Sequence, residues 1–147
     1  MSTRIRLTIF VLFLALTGCA AKTTLRENQQ KWAAQNVTHY RFELTIGCNC
    51  PWRSLMPLKI EVKDGQVISM TDNNGQPIPA NYAGTFNKAA SIESLFAILD
   101  SAIGSASKVT VEYDPDNGYP KSIVIDYSKL VYDDEIGYYV KNFEVVK

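Results

Sequence analysis

The chain is poor in the residues from which catalytic and metal centres are usually built. It has one histidine and three cysteines among 147 residues. No Ser or Cys lies in a recognisable nucleophile motif, and no glycine-rich loop has the spacing of a phosphate-binding loop. His39 directly precedes a predicted strand; a structural role is the favoured interpretation and a general base the alternative. We therefore predict no cofactor, and the sequence gives no positive evidence of an enzyme.

Excess charge of one sign is missing as well. The 15 basic residues balance the 15 acidic ones, and the lysines and arginines are scattered singly among the acids. Proteins that bind nucleic acid usually carry a basic face or a net-basic domain. The composition therefore excludes nucleic acid as a predicted partner.

Long apolar runs are missing except near the N-terminus. There, Arg4 and Arg6 precede an apolar run over residues 7–16. A membrane-spanning helix needs about 20 apolar residues, so this run is too short to form one. A basic start followed by a short apolar run is typical of a signal peptide.

The run ends in Leu16-Thr17-Gly18-Cys19, which resembles a bacterial lipobox. We predict that residues 1–18 are a lipoprotein signal peptide that is removed, that Cys19 is lipidated, and that residues 19–24 are a polar tether. The alternative is an ordinary secretory signal that leaves Cys19 as a spare thiol. Ala20 replaces the aspartate that keeps lipoproteins of Gram-negative bacteria in the inner membrane. In such a host we therefore predict the periplasmic face of the outer membrane.

Residues 25–147 have the length of a single domain, and apolar periodicity predicts its elements. Predicted helices cover residues 25–35 and 91–103; predicted strands cover residues 40–46, 58–63, 66–71, 109–113, 123–127 and 138–146. Residues 72–90 lack periodicity and contain Asn, Gly and Pro, which predicts a long loop. The order is therefore α-β-β-β-α-β-β-β. It predicts an α+β fold in which an antiparallel β-sheet is packed by two helices on one face.

The cysteines that remain after lipidation are Cys48 and Cys50. An even number of thiols in an oxidising compartment favours a structural disulfide. In a regular strand their Cα atoms would lie near the upper limit for a bridge, but Gly47 and Pro51 indicate that the strand has ended. A reducible redox pair and a thiolate metal site are the alternatives. Two thiolates alone do not complete a zinc site, whereas copper(I) accepts two soft ligands.

Two acidic segments raise the question of a cation site. Residues 114–118 resemble the start of a calcium loop, but glycine falls at the fifth position and Ile125 stands at the twelfth, where glutamate belongs. A tight turn is the better interpretation. Asp133-Asp134-Glu135 is interpreted as a solvated loop, with a weak cation site as the alternative. We therefore predict no metal site.

Residues 51–57 form a connection with an unusual composition. Trp52, Arg53, Leu55 and Met56 are residue types that suit interface anchors, and they are the predicted partner-binding residues. The slightly favoured interpretation is that Trp52 and Leu55 instead close the open end of the core, because large apolar side chains usually find burial within their own domain.

Most of the predicted domain resembles a family of small bacterial secreted proteins and lipoproteins, the domain-of-unknown-function family 6174. Asn49 and Ser91 stand where that family often has an aromatic residue and a threonine, which leaves the chemistry unaltered. The resemblance implies an envelope α+β domain and supplies no known activity. It is carried by Cys48-Asn49-Cys50-Pro51, Asp64-Gly65-Gln66-Val67-Ile68-Ser69, Ser91-Ile92-Glu93-Ser94-Leu95-Phe96, Val111-Glu112-Tyr113-Asp114, Gly118-Tyr119-Pro120, Ile123-Val124-Ile125-Asp126 and Asp133-Asp134-Glu135.

Together these features predict a membrane-anchored periplasmic lipoprotein. It is expected to act as a non-catalytic binding or envelope assembly module, with the membrane and an envelope protein as its partners. The alternative is a thiol-redox or copper-handling envelope protein that uses Cys48 and Cys50.

Overall fold

The computed structural model describes residues 21–131 and 134–147. The predicted signal peptide and Cys19 lie outside the described residues. The first helix, α1, covers residues 21–34 within the described part of the chain. Residues 21–24, the end of the predicted polar tether, are therefore helical. Their side chains are exposed, so α1 begins before its first buried residue, Leu25.

All six predicted strands are present, in one antiparallel sheet. The strands are β1 (His39–Gly47), β2 (Leu58–Lys63), β3 (Gln66–Thr71), β4 (Lys108–Tyr113), β5 (Pro120–Asp126) and β6 (Glu135–Val145). Their order across the sheet is β3-β2-β1-β6-β5-β4, so β1 and β6 meet at its centre.

The long segment between β3 and β4 contains more structure than predicted. The expected helix is present as α3 (Ile92–Ala102), but the predicted loop also contains α2 (Ala80–Phe86) and a 3₁₀ turn (Asn87–Ala89). The described fold is therefore α-β-β-β-α-α-β-β-β, with three helices instead of two. A seven-residue helix is too short to show a helical period in the sequence. It is stabilised by tertiary packing, since Phe86 is completely buried.

The N-terminus of α3 is capped as the sequence predicts. The Ser91 side chain accepts a hydrogen bond from the Ser94 backbone N–H at 3.0 Å, which satisfies one of the donors left unpaired at a helix start. The helix then presents one apolar stripe to the core, formed by Ile92, Leu95, Phe96, Leu99 and Ala102.

The core lies on one face of the sheet. Buried side chains of all three helices belong to the same apolar cluster as alternate residues of the central strands, including Tyr40, Phe42, Leu44 and Ile46 of β1. The intervening residues of β1 point to the other face of the sheet, because side chains alternate along a strand. No described helix is long and apolar enough to cross a membrane.

Candidate functional site

The cysteine turn, residues 48–57, connects β1 to β2. Strand β1 ends at Gly47, as predicted. Cys48 and Cys50 are placed at disulfide-bonding distance, with their Cα atoms 5.2 Å apart. This separation lies within the range that disulfides require. The geometry therefore fits the predicted bridge between the two cysteines.

Backbone and side-chain contacts hold the rest of the cysteine turn in place. The Arg53 N–H donates to the Cys50 carbonyl at 3.3 Å, and the Asn73 N–H donates to the Leu55 carbonyl at 3.0 Å. The Met56 sulfur accepts from the Ile46 N–H at 3.4 Å. The turn is thus attached both to β1 and to the segment that follows β3.

The four predicted partner-binding residues do not share one environment. The Trp52 ring meets the rings of Phe86 and Tyr82 at centroid distances of 5.8 and 5.6 Å. Trp52, Leu55 and Met56 are all partly buried against the core. This arrangement is the one expected if Trp52 and Leu55 close the core. Arg53 is exposed, so it is the member of the set most available to a partner.

A concave surface lies beside the cysteine turn, on the sheet face opposite the core. It is open to solvent and has a volume of about 980 Å³, bounded by the cysteine turn and by Ser128, Lys129, Val131 and Asp134. Ligand-binding pockets usually have volumes of about 300–1,000 Å³. We call this surface the concave site; its principal lining residues are Thr45, Asn49, Arg53, Asp126, Gly137 and Tyr139.

Two glycines lie side by side in the floor of the concave site. Gly47 of β1 and Gly137 of β6 lie directly opposite each other in the strand pairing. The Tyr139 ring occupies the space above them: a Cβ at Gly137 would lie 2.6 Å from the Tyr139 Oη, and a Cβ at Gly47 would lie 3.3 Å from its Cε2. The two glycines therefore allow an aromatic ring to cover the floor, with Tyr139 still 37% exposed.

Charged groups of both signs line the concave site. Arg53 and Lys129 supply positive charge, whereas Asp126, Asp134 and Glu135 supply negative charge. Asp126 Oδ1 is buried without a hydrogen-bond partner. The ion pairs found among the described residues are His39–Glu61, Arg41–Glu144 and Lys121–Glu112, and all of them lie outside this surface. Arg53, Lys129 and Glu135 are exposed, so their charged groups remain available to a ligand.

His39 and the turn at residues 114–118 lie away from the concave site. His39 contacts Glu61 at 2.7 Å and lies at the end of β1 remote from the cysteines, which fits the structural interpretation. Asp114 Oδ1 accepts from the Asn117 N–H at 2.8 Å, and Gly118 has a positive φ of 82°. This segment is a tight turn, as predicted. Within residues 21–131 and 134–147, no three His, Cys, Asp or Glu residues are grouped so that they could hold a metal ion.

The acidic segment at residues 133–135 lies partly at the concave site. Asp133 lies outside the described residues, while Asp134 and Glu135 line the concave site. In the sequence, nothing links this segment to the cysteine turn, and the sequence analysis considered the two separately. It also missed Tyr139, Asp126 and the glycine pair, because residues about 90 positions apart meet only through the register of β1 and β6. Gly137 lies inside β6, but the predicted strand began at residue 138, so the sequence did not show it as a glycine within a strand.

Family comparison agrees with the resemblance seen in the motifs. The model of a family of unknown function, DUF6174, matches residues 24–145. The chain belongs to this family. No curated protein matches the chain, and no solved structure does. The match runs from within α1 to the end of β6, so it covers nearly all of the described domain. The family description itself names no function.

Proposed function

We propose that the mature chain is a lipid-anchored protein of the bacterial cell envelope that binds a partner in the concave site without catalysis. Anchoring is supported by the basic start, the apolar run over residues 7–16 and the lipobox-like Leu16-Thr17-Gly18-Cys19. In a Gram-negative host, Ala20 favours the periplasmic face of the outer membrane. Two thiols remaining after lipidation fit an oxidising compartment.

The binding role is supported chiefly by the concave site itself. Binding surfaces combine a concave shape with a few convergent polar groups. Here the charged side chains at the surface lack ion-pair partners among the described residues, although carboxylates and guanidinium groups usually gain from pairing. The disulfide limits the conformations open to the cysteine turn, so less conformational entropy is lost on binding.

This surface replaces Trp52 as the centre of the proposed interface. Trp52 packs on Tyr82 and Phe86 of its own domain, whereas Arg53 is exposed at the rim. An interface that uses Arg53 leaves the core intact. Arginine is also enriched in binding interfaces because its planar guanidinium forms several hydrogen bonds at once.

Site-specific photocrosslinking in living cells tests the proposal. A photoreactive residue in place of Arg53 is expected to give a covalent adduct with one kind of envelope component. The matched control carries the same residue in place of Lys63, which is exposed near the other end of the sheet. Equal labelling at the two positions, or no adduct at position 53, would contradict binding at the concave site.

A second candidate is a thiol-redox or copper-handling function. The observation that favours it is that Cys48 lines the concave site, so a ligand bound there would approach its sulfur. In the redox case a thiolate of the partner attacks one sulfur, the Cys48–Cys50 bond breaks and a mixed disulfide forms. Copper(I) binding requires both thiols in their reduced form.

The cysteine variants distinguish the two candidates. A binding module should retain its crosslink at position 53 when Cys48 and Cys50 are both replaced by serine, provided that the domain remains folded. A redox or copper protein should lose all activity in this variant. A reduction potential near those of known oxidoreductases, or stoichiometric copper(I) binding by the reduced protein, would favour the second candidate.

A further inference from the structure

The floor of the concave site offers one unusual feature, an aromatic ring laid over glycines. Strand residues normally project side chains from both faces, but Gly47 and Gly137 project none. The Tyr139 ring fills this space and keeps 37% of its surface accessible. An aromatic ring in this position offers an apolar surface together with a polar hydroxyl.

Hydrogen-bonding groups of both kinds surround the ring. Glu135 of β6 is exposed and supplies carboxylate acceptors, and it lies directly opposite Asp126 of β5. Asn49 and Arg53 are exposed and supply N–H donors from the cysteine turn. A ligand that fits must therefore both donate and accept hydrogen bonds while covering an aromatic ring.

Other classes of occupant match this surface less well. A polyanion such as a nucleic acid would meet the carboxylates of Asp126, Asp134 and Glu135. A peptide that binds by strand addition needs a sheet edge, whereas β1, β6 and β5 are all interior strands. An amphipathic helix needs an apolar groove, and this surface is lined by charges.

We propose that the occupant of the concave site is a sugar chain, such as the glycan strand of the cell wall. A sugar ring carries a C–H face that packs on an aromatic ring, and its hydroxyls both donate and accept hydrogen bonds. Tyr139 stacks on one sugar unit, Glu135 accepts from its hydroxyls, and Asn49 and Arg53 donate to it. This inference rests on the proposed binding function and names the class of ligand.

Sedimentation with purified peptidoglycan sacculi tests the inference, using the mature protein purified from the envelope. We expect the protein to bind sacculi and also an N-acetylglucosamine oligosaccharide that lacks peptide. Tyr139→Ala should weaken binding by about tenfold or more, as expected for an anchor residue. Tyr139→Phe keeps the ring and should bind nearly as well as the unaltered protein.

Two further variants control for the fold. Thr110→Ala alters an exposed residue of β4 outside the concave site and should leave binding unchanged. Gly137→Ala should displace the Tyr139 ring and weaken binding as strongly as Tyr139→Ala. If Gly137→Ala fails to fold, the comparison of Tyr139→Ala with Tyr139→Phe decides whether the aromatic ring is needed for binding.

The possible failures are distinguishable. Full binding by Tyr139→Ala, no binding to sacculi and oligosaccharide, or binding only to a synthetic stem peptide would each overturn the sugar chain as occupant. If the crosslink at position 53 persists in those cases, the proposed binding function stands. If that crosslink is also missing, both proposals fail.

Discussion

Trp52 shows that residue type alone leaves the role of a side chain open, because tryptophan suits both an interface and a core. Tryptophan suits an interface anchor, yet the Trp52 ring packs against the rings of Tyr82 and Phe86. The partner residues belong to α2, a helix that the sequence pattern does not predict. Once α2 is present, Trp52 is buried more favourably against its own domain than against a partner. In both cases the apolar ring leaves water, but only binding to a partner also costs translational and rotational entropy.

Replacing Trp52 with alanine should therefore destabilise the fold. Removing a large aromatic side chain from a core costs about 3–5 kcal/mol, and the partial exposure of Trp52 places the expected loss near the lower end of that range. Denaturant unfolding measures this loss directly. The matched control is Arg53→Ala, next in sequence but exposed, which should change the free energy of unfolding by no more than about 0.5 kcal/mol. Similar stability of the two variants would contradict the core-closing role of Trp52.

At the scale of elements, Glu93 joins three parts of the fold that the sequence treats as separate. Its carboxylate accepts from the Trp32 indole N–H of α1 at 2.9 Å and from the Tyr40 hydroxyl of β1 at 2.8 Å. The Tyr40 hydroxyl in turn accepts from the Ile92 N–H at 3.1 Å. The start of α3 is thereby attached to the first helix and the central strand. The sequence indicated Glu93 only as an acidic residue suited to a helix N-terminus.

Glu93→Ala should lower the free energy of unfolding by about 2–3 kcal/mol, because it leaves the buried Trp32 N–H and Tyr40 hydroxyl without their acceptor. Glu112→Ala is the control: Glu112 is exposed and its pair with Lys121 spans 3.9 Å, so its loss should cost at most about 0.5 kcal/mol. Thermal or denaturant unfolding compares the two variants. Equal stabilities would show that the contacts of Glu93 contribute no more than an exposed ion pair does.

The first helix also changes the expected position of the domain at a membrane. Only Ala20 separates the predicted lipidated residue from residue 21, where α1 is already helical. One intervening residue spans at most about 7 Å between the flanking Cα atoms, and the helix rises about 6 Å more to the buried Leu25. If Cys19 is acylated, Leu25, the first buried residue of the domain, would therefore lie within about 13 Å of it.

Across the whole molecule, burial of tyrosines gives stability a dependence on alkaline pH. Burial raises the pKa of Tyr113 to about 12, and burial with the nearby Asp114 carboxylate raises the pKa of Tyr119 to about 12. Burial also raises the pKa values of Tyr40 and Tyr138. In the unfolded chain these phenols ionise near pH 10. The folded state therefore binds their protons more tightly than the unfolded state does.

The free energy of unfolding should be at its full value below pH 10 and should fall as the pH rises through 12. Denaturant unfolding at several pH values, with tyrosinate absorbance at 295 nm, follows this loss. Tyr113→Phe should reduce the fall between pH 10 and 12, and it should cost little at pH 8 because the Tyr113 hydroxyl is buried without a partner. A free energy that stays constant from pH 9 to 12 would contradict the shifted pKa values.

Membrane attachment is a property of the whole chain that we predict from its N-terminal sequence. The intact mass of the protein purified from membranes should correspond to a chain that begins at Cys19 and carries acyl groups. Cys19→Ser should abolish acylation and release the protein from the membrane fraction, because the acyl chains supply most of the membrane affinity. Acylation and membrane attachment that persist in Cys19→Ser would refute the prediction.

The sequence by itself determined the elements whose pattern is local: six strands with alternating apolar residues, the capped helix α3, the turn at residues 114–118 and the adjacent cysteine pair. The tertiary structure decided the rest. A seven-residue α2 forms because Phe86 is buried against the core, and Trp52 then packs on it. The concave site depends on the pairing of β1 with β6, which brings Gly47 opposite Gly137 and places Tyr139 over both. The physical reason is that local patterns record which face of an element is apolar, whereas a binding surface depends on which distant residues the strand register makes neighbours.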